Sequence, residues 1–379
     1  MEIINQFAIK HKIKWGRDKC KVMRVGKHTK DVYKWNIGDM EIDETEHYKY
    51  LGDIVSSDGR NKENIKSRQA KLQASIISVN TYASNEVMAR IEAPVLLDLY
   101  ETIAISGFMT NAESWSLNKG EENEIEIVEI QALKNLFDLP IHTPTAAIVY
   151  TLGVPFTKQR IDKRTLLFLY KILHKDSEKW MSRTLLTLDT LNIGWCKKIK
   201  ETLAEYDLPL DFDEIKSHSL PQWTKRISIA LETKHKERLL EMCYKNENGL
   251  CTPKTKTAHL IDKLNKDDYK RQPEKEIMKM TKLEAKTVIT ARYRMLECGK
   301  NHKGTLSLEC TTCNIIDDEN HRLNDCPKWQ HRNIHNSKEH ERIDFNKIFS
   351  NDICILREII PVIQNLWNVK TAHGTMYRD

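Results

Sequence analysis

The sequence has no long apolar run and little glycine or proline. No stretch approaches the roughly 18 consecutive apolar residues that a membrane helix needs, and residues 1–10 lack the apolar core and cleavage site of a signal peptide. We therefore expect no membrane partner and an intracellular location, in the nucleus or cytoplasm. With 13 Gly and 10 Pro among 379 residues and 40% hydrophobic residues, the composition favours a helix-rich globular protein over a disordered one.

An even, closely spaced set of cysteines is also missing. The chain has nine cysteines, which is an odd number and argues against a disulfide scaffold, so we predict reduced thiols. Four of them lie far from one another and are interpreted as buried, small hydrophobic residues: Cys196, Cys243, Cys251 and Cys354. The sequence also has no Gly-x-Ser-x-Gly motif and no phosphate-binding Gly loop. No motif therefore indicates a nucleophilic serine of that type or a nucleotide-phosphate site.

The hydrophobic pattern changes its period near residue 60. Before it, short segments rich in Val, Ile, Tyr and Trp predict three strands, at Lys19–Val25, Asp31–Ile42 and His47–Val55. After it, apolar residues recur with the 3.6-residue period of an amphipathic helix. The first such stripe comprises Ile65, Leu72, Ile76 and Val79.

Most of the remaining chain is predicted to be helical. The fold class is therefore mainly α with a small N-terminal β unit, a multi-helix body and a small Cys/His zinc knuckle. We place the boundaries of these units at 1–60, 61–272 and 273–379, with the knuckle at about 310–326 and a last helix at Ile353–Trp367. The other predicted helices are Pro94–Met109, Glu121–Phe137, Lys158–His174, Lys197–Tyr206, Trp223–Tyr244, Thr255–Asn265 and Glu274–Glu297.

The strongest single signal is the pattern Cys-x2-Cys-x7-His-x4-Cys, formed by Cys310, Cys313, His321 and Cys326. The x2 spacing lets two thiolates from one turn reach the same ion, and four such ligands complete the tetrahedron of a structural zinc site. Because so short a segment cannot bury enough apolar surface to fold alone, the metal would supply folding energy on the order of 10 kcal/mol. The fourth ligand stays open, since Cys298, His302, His331 and His335 lie nearby.

The N-terminal segment is strongly basic. Residues 10–30 contain nine Lys or Arg and a single acidic residue, Asp18, although the whole chain carries only a +6 formal charge. Aromatic residues that can stack on bases are interleaved with this charge. The candidate nucleic-acid-binding residues are Lys12, Lys14, Arg17, Lys19, Lys21, Arg24 and Tyr50. A solvated strand face with an aromatic core remains an alternative interpretation.

Several segments resemble the C-terminal region of non-LTR retrotransposon reverse transcriptases, in the same order along the chain. Lys19–Met23 resembles the Lys-Thr-Lys-Val-Met strand after the polymerase hairpin, and Tyr48–Gly52 resembles the primer-grip region. Gly16 stands where the family usually has Asn, and Cys20 where it usually has Thr. Further similar segments are Asp58-Gly59 with Ile65 and Arg68, Ala112–Trp115, Ala291-Arg292 and the Cys/His knuckle.

The resemblance implies a post-palm, thumb and zinc-knuckle region that contacts an RNA or DNA template-primer. It places Lys19 near the incoming nucleotide. The aromatic-x-Asp-Asp hairpin that would hold catalytic Mg²⁺ is not in this sequence. The sequence has two other Asp-Asp pairs, Asp267-Asp268 and Asp317-Asp318, and we predict that both are solvated surface residues rather than metal ligands.

Three functions are compatible with these features. The first is a truncated, noncatalytic reverse-transcriptase-like protein that binds an RNA or DNA template-primer through the basic strand unit and the zinc knuckle. The second is the tail of an RNA-directed DNA polymerase that is active, with Mg²⁺, only together with the missing palm of the same element. The third is a domesticated protein-interaction module in which the zinc site is only structural.

Overall fold

The structure, a computed structural model, describes residues 2–26, 33–82, 84–175, 179–247, 250–301, 306–330 and 342–367. The predicted fold class is confirmed, because these residues form mainly helices together with three small two-stranded sheets. None of the helices in these ranges combines the length and the apolar character that a membrane span requires.

The α-helices follow one another along the whole chain. They are α1 Glu2–Lys10, α2 Lys62–Thr81, α3 Asn85–Arg90, α4 Ala93–Leu99, α5 Ser106–Phe108, α6 Lys119–Leu136, α7 Thr145–Leu152, α8 Thr157–Leu173, α9 Trp180–Leu191, α10 Gly194–Glu205, α11 Phe212–Ser217, α12 Leu220–Cys243, α13 Ala258–Leu264, α14 Lys282–Arg292, α15 Pro327–Gln330 and α16 Ile353–Leu366. Shorter 3₁₀ turns occupy Arg17–Lys19, Ala112–Ser114, Ile277–Lys279 and Phe345–Phe349, and π-helical turns occupy Tyr100–Ile105 and His321–Asp325.

The strands form antiparallel hairpins. Strands β1 Trp35–Ile37 and β2 Met40–Ile42 pair with each other, as do β3 His47–Tyr50 and β4 Asp53–Ser56. The third hairpin joins β5 Tyr244–Glu247 to β6 Leu250–Pro253. Each hairpin stands alone as a two-stranded sheet among the described residues.

The three-strand prediction for the N-terminal unit is wrong in detail. Lys19–Val25 is not a strand, because a 3₁₀ turn ends at Lys19 and only Val22 pairs, through a single bridge to Glu44. The second predicted strand, Asp31–Ile42, is a hairpin in its described part, since Gly38 has a φ of +56° and turns the chain. The third is also a hairpin, which turns at Leu51 and Gly52. Glycines inside an extended pattern marked these turns.

Most predicted helices are confirmed to within a few residues, as α2, α6, α8, α10, α12 and α13 in the body and α16 near the C-terminus show. The predicted helix Glu274–Glu297 is instead shorter. Thr281 caps a new helix there, since its side chain accepts a hydrogen bond from the Glu284 N–H while Glu284 reaches back to the Thr281 N–H. This capping box starts α14, and the chain before it pairs with the residues that precede α4.

Two groups of buried apolar residues hold the helices together. The larger group draws on α2 to α7, the end of α12, α13, α14 and α16. The smaller group draws on α8 to α11 and the first half of α12. The long helices α8 and α12 contact each other, so they connect the two groups.

Candidate metal centre and nucleic-acid interface

The structure brings the four predicted metal ligands together. The ligand atoms of Cys310, Cys313, His321 and Cys326 all lie within 4.8 Å of one another, and this group can hold a metal ion. The Cys326 Sγ atom is 3.7 Å from the Cys310 Sγ atom and 3.9 Å from the Cys313 Sγ atom. A tetrahedron with Zn–S bonds of about 2.3 Å has S···S edges of roughly 3.8 Å, so these separations suit that geometry.

The imidazole of His321 provides an independent test of this site. His321 is 3% exposed, and neither of its ring nitrogens has a hydrogen-bond partner outside the four-residue cluster. Buried polar atoms without a partner are rare, because each has lost its hydrogen bonds to water. A metal ion bound by one ring nitrogen would remove part of this cost, and the residues present therefore fit such an ion.

Local backbone structure positions the ligands. Cys310 and Cys313 flank a tight turn, in which the Asn314 N–H donates to the Cys310 carbonyl at 2.8 Å and the Cys310 N–H donates to the Ile315 carbonyl at 2.8 Å. Asn314 has a φ of +54°, a conformation that Asn tolerates better than most residues. His321 begins the π-helical turn, and its carbonyl accepts from the Cys326 N–H at 2.9 Å.

Burial and neighbouring groups act in opposite directions on the thiols. Burial raises the pKa of Cys310, but the His321 ring and the backbone amides of Thr312 and Cys313 lower it more, and the result is about 6. Burial and the adjacent Cys326 raise the pKa of Cys313 to about 11. The adjacent Cys326 thus opposes ionisation of Cys313, because adjacent anions repel each other.

The prediction that Asp317 lies on the solvated surface is wrong. Asp317 is 7% exposed and makes a buried, bidentate ion pair with Arg322, with Nε to Oδ1 at 2.7 Å and Nη2 to Oδ2 at 2.5 Å. Its Oδ2 atom also accepts from the Gly299 N–H at 2.8 Å. Asp317 therefore connects the metal cluster to the chain that enters it. Asp267 and Asp268 are exposed, as predicted.

Cys298, which could have replaced one of the four metal ligands, lies apart from them. It is fully buried and does not belong to the group of four, and burial raises its pKa to about 12. The three nearby histidines, His302, His331 and His335, lie outside the described residues.

The four isolated cysteines differ in burial. Cys196 and Cys243 are buried as predicted. Cys251 and Cys354 are instead exposed, because Cys251 lies on an isolated hairpin and Cys354 in the first turn of α16. The prediction of four buried cysteines is therefore correct for two of them.

Four of the candidate nucleic-acid-binding cations share one exposed segment. Lys12, Lys14, Arg17 and Lys19 are exposed, and none of them makes an ion pair with another described residue. The Lys19 carbonyl accepts a hydrogen bond from the Tyr48 hydroxyl at 2.8 Å. This contact holds the basic segment against strand β3.

The other two candidate cations are already paired. The Lys21 Nζ atom lies 2.6 Å from Asp43, and the Arg24 Nε atom lies 2.6 Å from Glu44. The Lys21 ammonium, by hydrogen bond and charge, lowers the pKa of the Asp43 carboxyl. These two pairs connect residues 21–24 to the segment after β2, so part of the predicted charge excess is neutralised within the unit.

The aromatic residues of this unit differ in exposure. Tyr50 is 62% exposed at the end of β3, and Tyr33 is 51% exposed. Trp15, Trp35 and Tyr48 are half-buried, as expected of residues that fill a small core. Of the five rings, Tyr50 and Tyr33 thus present the most surface to a base.

The β3–β4 hairpin is anchored to the helical body by Asp53 and Arg68. Asp53, at the start of β4, accepts from Arg68 at 2.7 Å and from Asn111 at 2.5 Å. Arg68 is 2% exposed and also donates to the Gly107 carbonyl at 2.9 Å. The sequence could have indicated this ion pair, because Arg68 falls within the apolar stripe of α2, and a cation buried there needs an anionic partner.

Comparison with protein-family models, with curated proteins and with solved structures finds no match. The family resemblance therefore rests on the sequence motifs alone.

The motif residues occupy different kinds of position. Tyr50 and Gly52 lie at the exposed turn of a hairpin, whereas Trp115 is 5% exposed and Arg292 is 2% exposed. Arg292 donates to the carbonyls of Ile348 and Ser350 and to Glu274, and so attaches α14 to the chain before α16. The deeply buried motif residues are positioned to stabilise the fold rather than to contact a ligand.

Proposed function

We propose that this chain is a reverse-transcriptase-like, nucleic-acid-binding protein whose Cys/His cluster holds a structural zinc ion. It binds the phosphate backbone of an RNA or DNA template-primer with the N-terminal basic segment. Synthesis of a strand would require a palm that supplies carboxylates and Mg²⁺. The exposed and unpaired cations at Lys12, Lys14, Arg17 and Lys19 are the observation that carries the binding proposal.

Support for zinc comes from the donor set. Three thiolates and one imidazole are soft or borderline ligands, which suit Zn²⁺ and not the oxygen-seeking Mg²⁺ or Ca²⁺. With four protein ligands the tetrahedron is complete and leaves no position for a catalytic water. The ion would thus stabilise the segment from Cys310 to Cys326 without taking part in a reaction.

Metal analysis of the purified protein tests the zinc proposal. We expect about one zinc per chain for a filled tetrahedral site and a clear loss of zinc in Cys313→Ser. The matched control is Cys251→Ser, which changes an exposed cysteine outside the cluster. Protein without stoichiometric zinc would contradict the proposal, and so would a Cys313→Ser variant that keeps its zinc.

Support for nucleic-acid binding comes from charge and position. Each exposed cation that contacts a phosphate releases condensed counterions, so binding should weaken as salt rises. Four such contacts give a slope of log K against log salt of roughly −3. Tyr50, at the exposed turn of the adjacent hairpin, can add stacking on a base.

Charge reversal tests this proposal. In the variant with Lys12, Lys14 and Arg17 changed to Glu, we expect the affinity for a labelled oligonucleotide to fall by roughly tenfold or more. The control reverses Lys171, Lys197 and Lys225, three exposed lysines on helices of the smaller core group. Fluorescence anisotropy at two salt concentrations measures both affinity and slope. Equal losses in the two variants, or no loss in the first, would contradict this assignment.

A further inference from the structure

A cleft of about 850 Å³ lies far along the sequence from the N-terminal basic segment. Its walls come from the start of α7, the end of α12, strand β5, the segment between β6 and α13, the chain just after α14 and the chain that enters the metal centre. This volume lies within the range of about 300–1,000 Å³ that is typical of ligand sites. The cleft can therefore accommodate a ligand of nucleotide size.

The charge of the cleft has one sign. Among the described residues that line it, five are basic and none is Asp or Glu, although the whole chain contains nearly equal numbers, 60 basic and 54 acidic. A cleft that concentrates one sign of charge attracts ligands of the opposite sign. The basic residues are Lys245, Lys254, Lys256, Arg294 and Lys300. One of them, Lys300, is paired with Asp318 outside the lining, at 3.3 Å.

Three of these cations have no carboxylate partner among the described residues. Arg294 follows α14 with a φ of +53°, and its guanidinium makes no hydrogen bond or ion pair with any described residue. The Lys256 ammonium contacts the sulfur of Met295 at 3.2 Å, and burial lowers its pKa. Lys254 donates to the Met242 carbonyl at 2.9 Å. An anion in the cleft would offset the cost of holding these charges close together.

The N-terminus of helix α7 adds partial positive charge to the cleft. Helix α7 begins at Thr145 without a side-chain cap, and Pro144, Thr145 and Ala146 line the cleft. The free N–H groups of a first helical turn carry partial positive charge and bind phosphate readily. Thr257, also in the lining, is 2% exposed, and its hydroxyl interacts with the Cys243 thiol. The cations and the helix N–H groups are thus the two kinds of donor available to an oxyanion.

The lining indicates which part of a nucleic acid would bind. Among the described lining residues the only aromatic ring is the imidazole of His142, and none is a Phe, Tyr or Trp that would give a base a larger stacking surface. Cations and backbone amides contact phosphates without reading the base sequence. The ligand class is thus the sugar-phosphate backbone rather than the bases.

We propose that this cleft binds the phosphodiester backbone of a nucleic-acid strand, independently of base sequence, next to the metal centre. This inference rests on the proposed nucleic-acid function and adds a second site to it. A strand bound to both the N-terminal segment and the cleft would gain affinity from each, because the second contact becomes intramolecular.

The test uses the full-length, metal-loaded protein and a labelled single-stranded 20-mer. One variant changes Lys254, Lys256 and Arg294 to Glu, and a milder one changes the same residues to Gln, so that the test survives if the first does not fold. The control is again the variant with Glu at positions 171, 197 and 225, which has the same change in net charge. Melting temperature and zinc content establish that each variant is folded.

We expect the Glu variant to bind the strand roughly tenfold or more weakly, with a salt slope smaller by about one for each lost phosphate contact. The Gln variant should fall between it and the wild type. Affinity equal to that of the control variant would overturn the cleft assignment.

Two comparisons distinguish strand binding in the cleft from binding at the N-terminal segment and from binding of a small molecule. If the cleft variant loses affinity but the variant at Lys12, Lys14 and Arg17 does not, the cleft is supported and the N-terminal assignment fails. If only the variant at Lys12, Lys14 and Arg17 loses affinity, the cleft assignment is overturned and the N-terminal assignment is supported.

Competition with inorganic phosphate and with a mononucleotide distinguishes the source of the phosphate. If either competes as well as the unlabelled strand, the cleft is a small-molecule site and the proposal of a strand is overturned.

Discussion

At the scale of single residues, buried charged side chains connect the helices through defined partners. Glu129, which is 2% exposed, accepts from the Tyr100 hydroxyl at 2.5 Å and from the Thr157 hydroxyl, and lies 3.2 Å from the Arg160 Nε atom. Such groups cost free energy to bury and are tolerated because they are paired. Removing one partner would leave the other charge buried and unsatisfied.

His235 is a buried residue that gives a pH-dependent prediction. Its Nδ1 atom lies 2.9 Å from the Gln159 Oε1 atom, its Nε2 atom has no partner, and burial, with the nearby charges of Arg271 and Arg238, lowers its pKa to about 3. Above the unfolded pKa of about 6.5 the ring is neutral in both states. Between about 6.5 and 3 only the unfolded chain takes up the proton, so stability falls as pH falls.

We therefore expect the free energy of unfolding to decrease by about 2 kcal/mol between pH 6.5 and 5 on account of His235 alone. In His235→Leu this part of the pH dependence should disappear. Denaturant unfolding at pH 7, 6 and 5 measures it, with the exposed His142→Gln as control. An unchanged pH dependence in His235→Leu would show that the folded protein protonates this ring without penalty.

At the scale of elements, the β3–β4 hairpin depends on an uncommon backbone conformation. Tyr50 pairs with Asp53, so Leu51 and Gly52 form a two-residue turn, with φ values of +48° and +97°. Such turns require positive φ at both positions, and Asn-Gly is their preferred sequence. Leu51 is 79% exposed, so its side chain has little packing to offset the strain.

Replacing Leu51 with Asn should therefore stabilise the protein, by about 0.5–1 kcal/mol, since Asn adopts the left-handed conformation more readily. Thermal unfolding measures the gain. Leu51→Ala serves as the control, because it removes the same exposed side chain without the conformational preference of Asn. If both variants gain equally, loss of exposed apolar surface, and not turn geometry, explains the effect.

At the scale of the whole molecule, the candidate metal centre is continuous with the larger core group. Leu323, within the π-helical turn of the centre, is 3% exposed and belongs to that group together with Phe345 and Ile348. Asn324 reinforces the connection, since it exchanges two hydrogen bonds with the backbone of Ile343. Folding of the centre is thereby coupled to packing of the helices.

Removal of the metal should therefore lower the melting temperature of the entire protein. A ligand that binds only the folded state stabilises it by about 4 kcal/mol when present at 1,000 times its dissociation constant. We expect a high-affinity chelator to destabilise the wild type and returned zinc to restore it, as followed by circular dichroism. Cys326→Ser should resemble the chelated protein. A chelated protein that is free of metal but melts at the original temperature would contradict this coupling.

Features that depend on local spacing follow directly from the order of the amino acids. The 3.6-residue stripe of Ile65, Leu72, Ile76 and Val79 predicts α2, since every member must face the same side of a helix. The Cys-x2-Cys-x7-His-x4-Cys pattern likewise predicted a cluster of ligands, because a tight turn already brings two of them together. Each of these features lies within a few turns of chain.

The tertiary structure alone decided which charges are neutralised and which remain exposed. Lys21 and Lys12 belong to one basic run in the sequence, yet Asp43 pairs with Lys21, and Lys12 has no such partner among the described residues. Arg294 and Lys254 lie forty residues apart along the chain and meet at one cleft. The physical reason is that ion pairing and cleft formation depend on distances between segments remote in sequence, and only the packing of the helices sets those distances.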